Sequence, residues 1–356
     1  MLTRAAVVEC AKQPPHFEEI ELSDLRYDEV LVRIGVAGIC HTDVAWSDGD
    51  LFDLFPVVLG HECAGVVEEV GEAVTRVRAG DRVSIALAHH CGHCFFCETG
   101  RPMLCANNGS ELRRMSRNGE PIQQGFGVGG FSQLVVVRQV SLVVVPSTVP
   151  MAVAALVGCA TSTGIGAVFN IAKVEYGSRV AVLGAGGVGL NVVMGCVLAG
   201  AERIVVVEPN EERRARALKL GATDVVEPAE EVLREIAADG FEFVFESVGR
   251  AETMELGFRI TQRGGTLTII GAPRPDVQIR IPALDFVPSQ RRILGCQTGN
   301  IRPDVDFDRI FRLYARGKLP LDSLVSDILP FDQIGEAFRR SRSGEGVRTL
   351  LRITEE

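Results

Sequence analysis

The chain has 356 residues, 46% apolar and 23% charged, with a net charge of −9 and a pI near 5.4. Its length allows two domains with sizeable cores, its apolar fraction excludes a disordered or fibrous chain, and its acidic balance opposes binding to nucleic-acid phosphates. No apolar run is expected to reach the roughly 18–20 residues that span a bilayer, and MLTRAAVVECAKQPP lacks the apolar core of a secretory signal, so a cytoplasmic chain with reduced thiols and no membrane partner is expected.

Residues 1 to about 160 carry short β-type runs broken by Gly and Pro: VLVRIGVAG, CAGVVEEVG, GDRVSIAL and FSQLVVVRQVSLVVVP. They predict a compact β-rich domain with few helices. Within it, CGHCFFCETGRPMLC puts Cys91, Cys94, Cys97 and Cys105 into fifteen residues. Such a cluster suits a disulfide knot, an iron–sulfur ligand set, a nucleic-acid-binding zinc module or a zinc staple. Reduced thiols disfavour the first and the acidic charge disfavours the third; spacing alone does not separate the other two.

From about 161 to 296 the texture becomes strand–helix alternation, which predicts a parallel sheet covered by helices. RVAVLGAGGVG leads into LNVVMGCVLAGA, and RRILGCQTG supplies a sixth strand. Gly184, Gly186 and Gly189 have the G-x-G-x-x-G spacing, with Gly187 and Val188 in the same turn. The first glycine permits a tight turn, the second lets the backbone approach a pyrophosphate, and the third lets helix and strand pack closely. Glu208 ends the next strand, nineteen residues after Gly189. A carboxylate there grips the adenosine ribose diol and repels a 2′-phosphate, so NAD is favoured over NADP. The tail from 297 to 356 is thin for a core of its own and is expected to return to the first domain, making the alternating unit an insertion.

Three other segments hold metal-ligand side chains: GICHTD with Cys40, GHECAG with His61 and Glu62, and GCATSTGIGA with Cys159. Each is weak alone, because a lone buried Cys is usually a small core residue. Together they make the two-cysteine, one-histidine set of a catalytic zinc with an open fourth position.

GICHTD, GHECAG, the four-cysteine loop, GCATSTGIGA, GAGGVGL and RSGEGVRTLL, in this order and over essentially the whole chain, resemble the zinc-containing medium-chain alcohol dehydrogenases. The resemblance implies an α/β plus β-rich fold: a GroES-like catalytic domain at 1–160, completed by 297–356, with an inserted Rossmann domain at 161–296 built on a doubly wound parallel sheet. It makes the four-cysteine lobe, about 89–107, a structural zinc site and Cys40, His61 and Cys159 a catalytic one, giving two Zn2+ per chain. The implied activity is hydride transfer between a primary or secondary alcohol and NAD, yielding aldehyde or ketone. Thr42 would begin the proton path, Asp43 would orient His61, and Glu62 would lie behind the metal, either approaching it or neutralised by Arg348. The resemblance places His41 and Arg348 at the pyrophosphate, Thr163 and Val188 near the nicotinamide, and Arg213 at the ribose or in solvent. It assigns backbone groups at Ile270, Cys296 and Thr298 to the carboxamide. It also implies a homo-oligomer, a dimer before a tetramer, with TLTIIGA as the strand pairing edge to edge.

Two features depart from the family pattern. Ala45 stands where many relatives carry a proton-relaying histidine, and the segment after the lobe is short, with Arg113, Arg114 and Arg117 facing an anionic substrate or solvent. Leu87, Leu112 and Ala272 are the candidate pocket residues. The rival readings are a glutathione-dependent formaldehyde dehydrogenase, which needs cationic anchors, and a non-catalytic zinc scaffold, which has no use for an open metal position. Cys10, Cys63, Cys196 and Cys296 are expected to be buried apolar residues, and His89, His90 and His93 to be surface or supporting groups of the lobe.

Overall fold

The computed structural model describes residues 1–87, 89–107 and 114–355. These form two units, 1–160 with 302–356, and 161–301. In the first, strands Leu2–Val8, His16–Leu22, Met115–Arg117, Glu120–Gln124 and Val57–Val58 close a small barrel. A second sheet is built around β1 (Glu29–Gly38). This strand pairs antiparallel with β2 (Glu62–Val70), with Leu134–Arg138 and with the closing strand Arg348–Arg352. β1 is buried along almost its whole length, which is why it reads as a continuous apolar run rather than an alternating one. Between β1 and β2 lies α1 (His41–Ser47).

The second unit is a six-stranded parallel sheet. Its strands are β3 (Arg179–Leu183), β4 (Arg203–Val207), β5 (Asp224–Val226), β6 (Phe241–Glu246), β7 (Thr261–Ile269) and β8 (Arg292–Gly295). Their spatial order is β5-β4-β3-β6-β7-β8. The order reverses between β3 and β6, so the loops leaving these two strands diverge and open a crevice at their carboxyl ends. Helix α2 (Gly187–Ala199) follows β3, and α3 (Ala251–Ile260) follows β6. Phe241 and Phe245 of β6 and Phe258 of α3 are buried, and each contributes roughly 1.5–3 kcal/mol of burial free energy.

Three expectations are corrected here. TLTIIGA begins in β7, which is flanked by β6 and β8, so it is not an edge strand; the edges of this sheet are β5 and β8. The second unit closes at Ile301 rather than at 296. Gly299 packs so closely on Gly166 that a Cβ on Gly166 would come within 2.3 Å of the Gly299 carbonyl oxygen, which ties this segment to the unit. Finally, the helical run Met151–Ala172 is long and apolar enough to cross a membrane by length and composition. Interleaved Gly, Ser and Thr hid it in the sequence, and most of it is buried inside the protein, as a core helix is.

Candidate active site

The first ligand set is built on α1. Its third residue, Asp43, closes the helix start by accepting the Cys40 amide at 3.1 Å, a capping-box contact. The other Asp43 oxygen accepts the Gly60 amide at 3.0 Å and lies 3.0 Å from His61 Nδ1. Gly60 must be glycine, with φ +91° and Phe131 so near that a Cβ would meet its amide at 2.6 Å. The carboxylate thereby fixes the imidazole so that Nδ1–H donates to it and the Nε2 lone pair is left for a metal. Cys159 arrives on a π-helical turn, Val157–Thr161, the kind of widened turn that recurs at functional sites.

The ligand atoms of Cys40, His61 and Cys159 lie within 4.8 Å of one another, and all three residues are buried. The hydrogen bond with Cys159 holds the Cys40 thiol well below its ordinary range, and the same bond, with burial, raises Cys159. Burial opposes charging His61, but the Asp43 and Cys40 charges outweigh it and raise its pKa. Two such thiols beside an imidazole are a poor apolar core and a good donor set for zinc. Thr42 Oγ1 sits 3.5 Å from Cys40 Sγ, so α1 brings the hydroxyl to the ligands.

Behind them, Glu62 is fully buried and burial pushes its pKa up to about 7 despite Arg348. Gly38 leaves the room, since a Cβ there would come 3.1 Å from the Glu62 carboxyl. Arg348 Nε lies 3.1 Å from Glu62 Oε2 but off the hydrogen-bond direction, and Arg348 also donates to the Ile39 carbonyl at 3.3 Å. Of the two readings of Glu62, neutralisation by Arg348 is the one with a contact in the structure. His41 is exposed at the start of α1.

In the lobe, Cys94 Sγ is 3.5 Å from Cys97 Sγ and 3.9 Å from Cys105 Sγ, and Cys91 Sγ is 4.0 Å from Cys97 Sγ. Four sulfurs each about 2.3 Å from one zinc stand about 3.8 Å apart, whereas a disulfide needs about 2.05 Å. The lobe helix Phe95–Glu98 buries no residue, so apolar packing does not hold it. A third grouping, Glu9, His16 and Glu18, also converges, but Arg117 lies between its carboxylates at 2.5 and 3.0 Å. A guanidinium already fills the place a cation would take.

In the second unit the glycine turn has the geometry its spacing predicts. Gly184 takes φ +96°, and a Cβ on Gly189 would lie 2.0 Å from the Gly184 carbonyl oxygen. A Cβ on Gly186 would meet nothing, which leaves that backbone open to a pyrophosphate. Glu208 is buried; Oε2 accepts the Ala185 amide at 2.8 Å and Oε1 the Asn210 amide at 3.0 Å. It therefore clamps the glycine turn as well as ending β4. Gly164, next to Thr163, packs on α2, where a Cβ would lie 2.7 Å from the Val188 carbonyl oxygen. Ile270 and Cys296 follow the paired ends of β7 and β8, and Thr298 is nearby in sequence with φ +46°. Arg213 is half-buried on the helix after Glu208, and its amide caps that helix through Asn210.

Other expectations change. Arg114 is buried in an ion pair with Glu29, and Arg117 pairs with Glu9 and Glu18, so neither faces substrate or stands free in solvent. Arg113 and Leu112 lie outside the described residues. Cys63 and Cys196 are buried, but Cys10 is exposed and Cys296 half-buried. Of the surface and supporting readings, the structure gives His89 the second: it is buried, with Nε2 2.8 Å from the Phe126 carbonyl oxygen and Nδ1 2.9 Å from Ser141 Oγ. Burial holds its pKa down at about 4, so the neutral ring donates to Phe126 and accepts from Ser141. Phe126 meets the His61 ring edge-on, and Trp46 packs on both Phe126 and Phe52. Only their spacing in the fold unites them, and no local pattern pointed to them.

Comparison with known proteins agrees with this geometry. Residues 26–147 match the alcohol dehydrogenase GroES-like domain, and residues 187–315 match the zinc-binding dehydrogenase model. An alcohol dehydrogenase zinc-binding domain protein from Burkholderia ambifaria is 32% identical over 100% of both chains, with a TM-score of 0.94. Benzyl alcohol dehydrogenase from Acinetobacter calcoaceticus is 30% identical over 99% of this chain and 100% of that one, with a TM-score of 0.93. A zinc-binding dehydrogenase from Sinorhizobium meliloti 1021, bound to NADP, is 27% identical over 99% of both chains, with a TM-score of 0.84. Fold and ligand sets thus define a zinc-dependent oxidoreductase. The chain belongs to the zinc-containing medium-chain alcohol dehydrogenase family.

Proposed function

We propose that the protein is an NAD-dependent alcohol dehydrogenase, interconverting a primary or secondary alcohol and its aldehyde or ketone. The observation that carries this reading is the buried Cys40, His61 and Cys159 set, three ligands where a purely structural zinc takes four. A zinc ion held there supplies a Lewis acid that lowers the pKa of the alcohol it polarises. NAD, when bound, accepts the hydride from the carbinol carbon. Cys40, His61 and Cys159 hold the metal, and Asp43 keeps His61 in the ligating tautomer. Thr42, at the mouth of the ligand set, takes a hydrogen bond from the alcohol hydroxyl and starts the proton outward. The open backbone at Gly186 and the start of α2 receive the pyrophosphate. Glu208 meets the ribose diol and disfavours a 2′-phosphate, which supports NAD over NADP.

The test is reduction of NAD and NADP over a panel of aliphatic, allylic and benzylic alcohols and hydroxymethylglutathione. It is run before and after chelation, with elemental analysis of the dialysed protein. Two zinc ions per chain, and turnover that chelation abolishes and zinc restores, are expected. Metal-free protein, or no turnover of any alcohol, sinks the reading. Preference for hydroxymethylglutathione would favour the glutathione-dependent alternative, for which Arg114 and Arg117 are already engaged elsewhere.

A further inference from the structure

The second unit holds a cavity of about 140 Å3 that takes no part in the sites described above. It lies between the end of helix Glu230–Ile236, the turn 237–240, the end of α3 and Arg291, which precedes β8. The turn leads into β6 and Ile260 leads into β7, so the cavity is at the amino ends of these parallel strands. The glycine turn, by contrast, leaves the carboxyl end of β3. Roughly the length of a strand, about 15–20 Å, separates the two places. An ordered water needs only about 10–15 Å3, so the cavity admits a group of several heavy atoms.

Three guanidinium groups line it, those of Arg234, Arg259 and Arg291. Glu230 holds the first two side by side: Oε1 accepts Arg234 Nη2 at 2.8 Å and Oε2 accepts Arg259 Nε at 2.8 Å. Arg291 is held separately. Its Nε donates to the Thr261 carbonyl at 2.6 Å, and its guanidinium lies 5.2 Å from the centre of the Phe258 ring. A guanidinium carries five N–H groups in a fixed fork, so each arginine keeps donors beyond these contacts. Gly240, at φ +91°, brings the turn against α3, where a Cβ would lie 2.5 Å from the Ile260 carbonyl oxygen. The walls are thus set before any ligand arrives.

Two helices end at the cavity, and Arg234 and Arg259 in their last turns answer the negative ends of the helix dipoles. Arg291 belongs to neither helix, so the dipoles do not account for it. Three arginines stand against two carboxylates, Glu230 and Asp239, which leaves one positive charge in excess in a chain of net charge −9. Asp239 is exposed, so water and salt screen it. An apolar ligand here would leave guanidinium donors without partners, and a cation would be repelled. An oxyanion matches the planar forks. A carboxylate offers two oxygens, whereas a phosphoryl group offers three strong acceptors, one for each arginine.

We propose that the Arg234–Arg259–Arg291 cavity binds the phosphoryl group of inorganic phosphate or of a small phosphate monoester, at a site separate from the dinucleotide crevice.

The zinc-loaded full-length protein is titrated calorimetrically with inorganic phosphate, with glycerol 3-phosphate and with acetate, at fixed ionic strength, with and without saturating NADH. One phosphoryl group should bind per chain, saturably, whether NADH is present or not, and more tightly than acetate. Tighter binding of the monoester assigns the site to a phosphorylated small molecule; equal or tighter binding of inorganic phosphate assigns it to the free ion. Arg291→Gln should weaken phosphate about tenfold or more, the scale of one hydrogen bond to a charged group, while its affinity for NADH stays unchanged. Arg234→Gln, at an exposed side chain, should weaken phosphate as well and serves if Arg291→Gln fails to fold. No saturable heat at tens of millimolar phosphate, loss of binding when NADH is saturating, acetate as tight as phosphate, or unchanged affinity in the folded variants overturns the proposal.

Discussion

Glu208 combines two tasks, because the carboxylate expected to meet a ribose also clamps the Ala185 amide of the glycine turn. Its replacement should therefore loosen the turn as well as remove a contact. Glu208→Ser should raise KM for NAD at least tenfold, since hydrogen bonds to charged groups contribute about 1.5–3 kcal/mol each, and should narrow the NAD-to-NADP preference. Equal kcat/KM of the unaltered protein with NAD and NADP would show that Glu208 does not discriminate. Glu246 went unnoticed in the sequence, where a carboxylate ending the strand FEFVFE reads as an ordinary surface group. It is buried, its Oε1 accepts Val248 N, Gly249 N and Thr253 Oγ1, and its Oε2 has no partner. Burial raises its pKa above the usual carboxylate value. Between the unfolded value, about 4.3, and that raised value, the folded protein binds the proton and the unfolded chain does not. Stability from this group is thus greatest at low pH and falls as pH rises through the window. Glu246→Gln should flatten that fall, measured as urea midpoints from pH 4.5 to 7; an undiminished slope would place the effect elsewhere. Ala45 is half-buried on α1, one turn from Thr42, and provides no base. Proton release near pH 7 should accordingly speed up with added imidazole buffer, and Ala45→His should raise turnover a few-fold and remove that dependence. Rates unmoved by either change would point to another relay or another slow step.

At the scale of elements, the two ligand sets predict different failures. Cys105→Ser breaks the metal that holds a lobe without buried side chains in its helix, and metal binding there is folding free energy. Its melting temperature should fall by roughly 5 °C or more. Cys159→Ser should abolish turnover with little change in melting, because the π turn that carries it is packed on all sides. Equal melting of Cys105→Ser and the unaltered protein would remove the staple. These sets were legible because ligands for one metal recur at fixed spacings and use a chemically distinctive pair of residue types. The glycine turn was legible because each glycine answers a separate steric demand. Phe52 and Phe126 were not legible: Phe126 meets Trp46 from far along the chain, and aromatic residues outside regular elements have no period. Arg114 was misread for a related reason, since its partner Glu29 lies on β1, far back in the chain.

For the whole molecule, one edge of the parallel sheet is β8, the strand that follows helix Ala283–Ser289 with its exposed Leu284 and Val287. An unpaired edge next to exposed apolar side chains favours pairing with a second copy. Light scattering at micromolar concentration should give a dimer, and Leu284→Lys combined with Val287→Lys should give a monomer. A monomeric mass for the unaltered protein would exclude this assembly. The alternation of strand and helix made the sheet and its six strands readable, because each parallel strand needs a crossover. The choice of edge was not readable, since strand order is set by packing between segments rather than within them.

The interrupted first unit also imposes a schedule on synthesis. The ribosome makes the chain from its N-terminus, and domains fold as units as they emerge. Residues 161–301 form a unit from one uninterrupted stretch and are complete in covalent terms while 302–356 are still unmade. The first unit cannot finish its central sheet until Arg348–Arg352 has been translated and added beside β1. The same few residues deliver Arg348 to the buried Glu62. The segment carrying Cys40 and His61 therefore waits for a strand made much later, and the buried Glu62 meets its counter-charge only once that strand has been added.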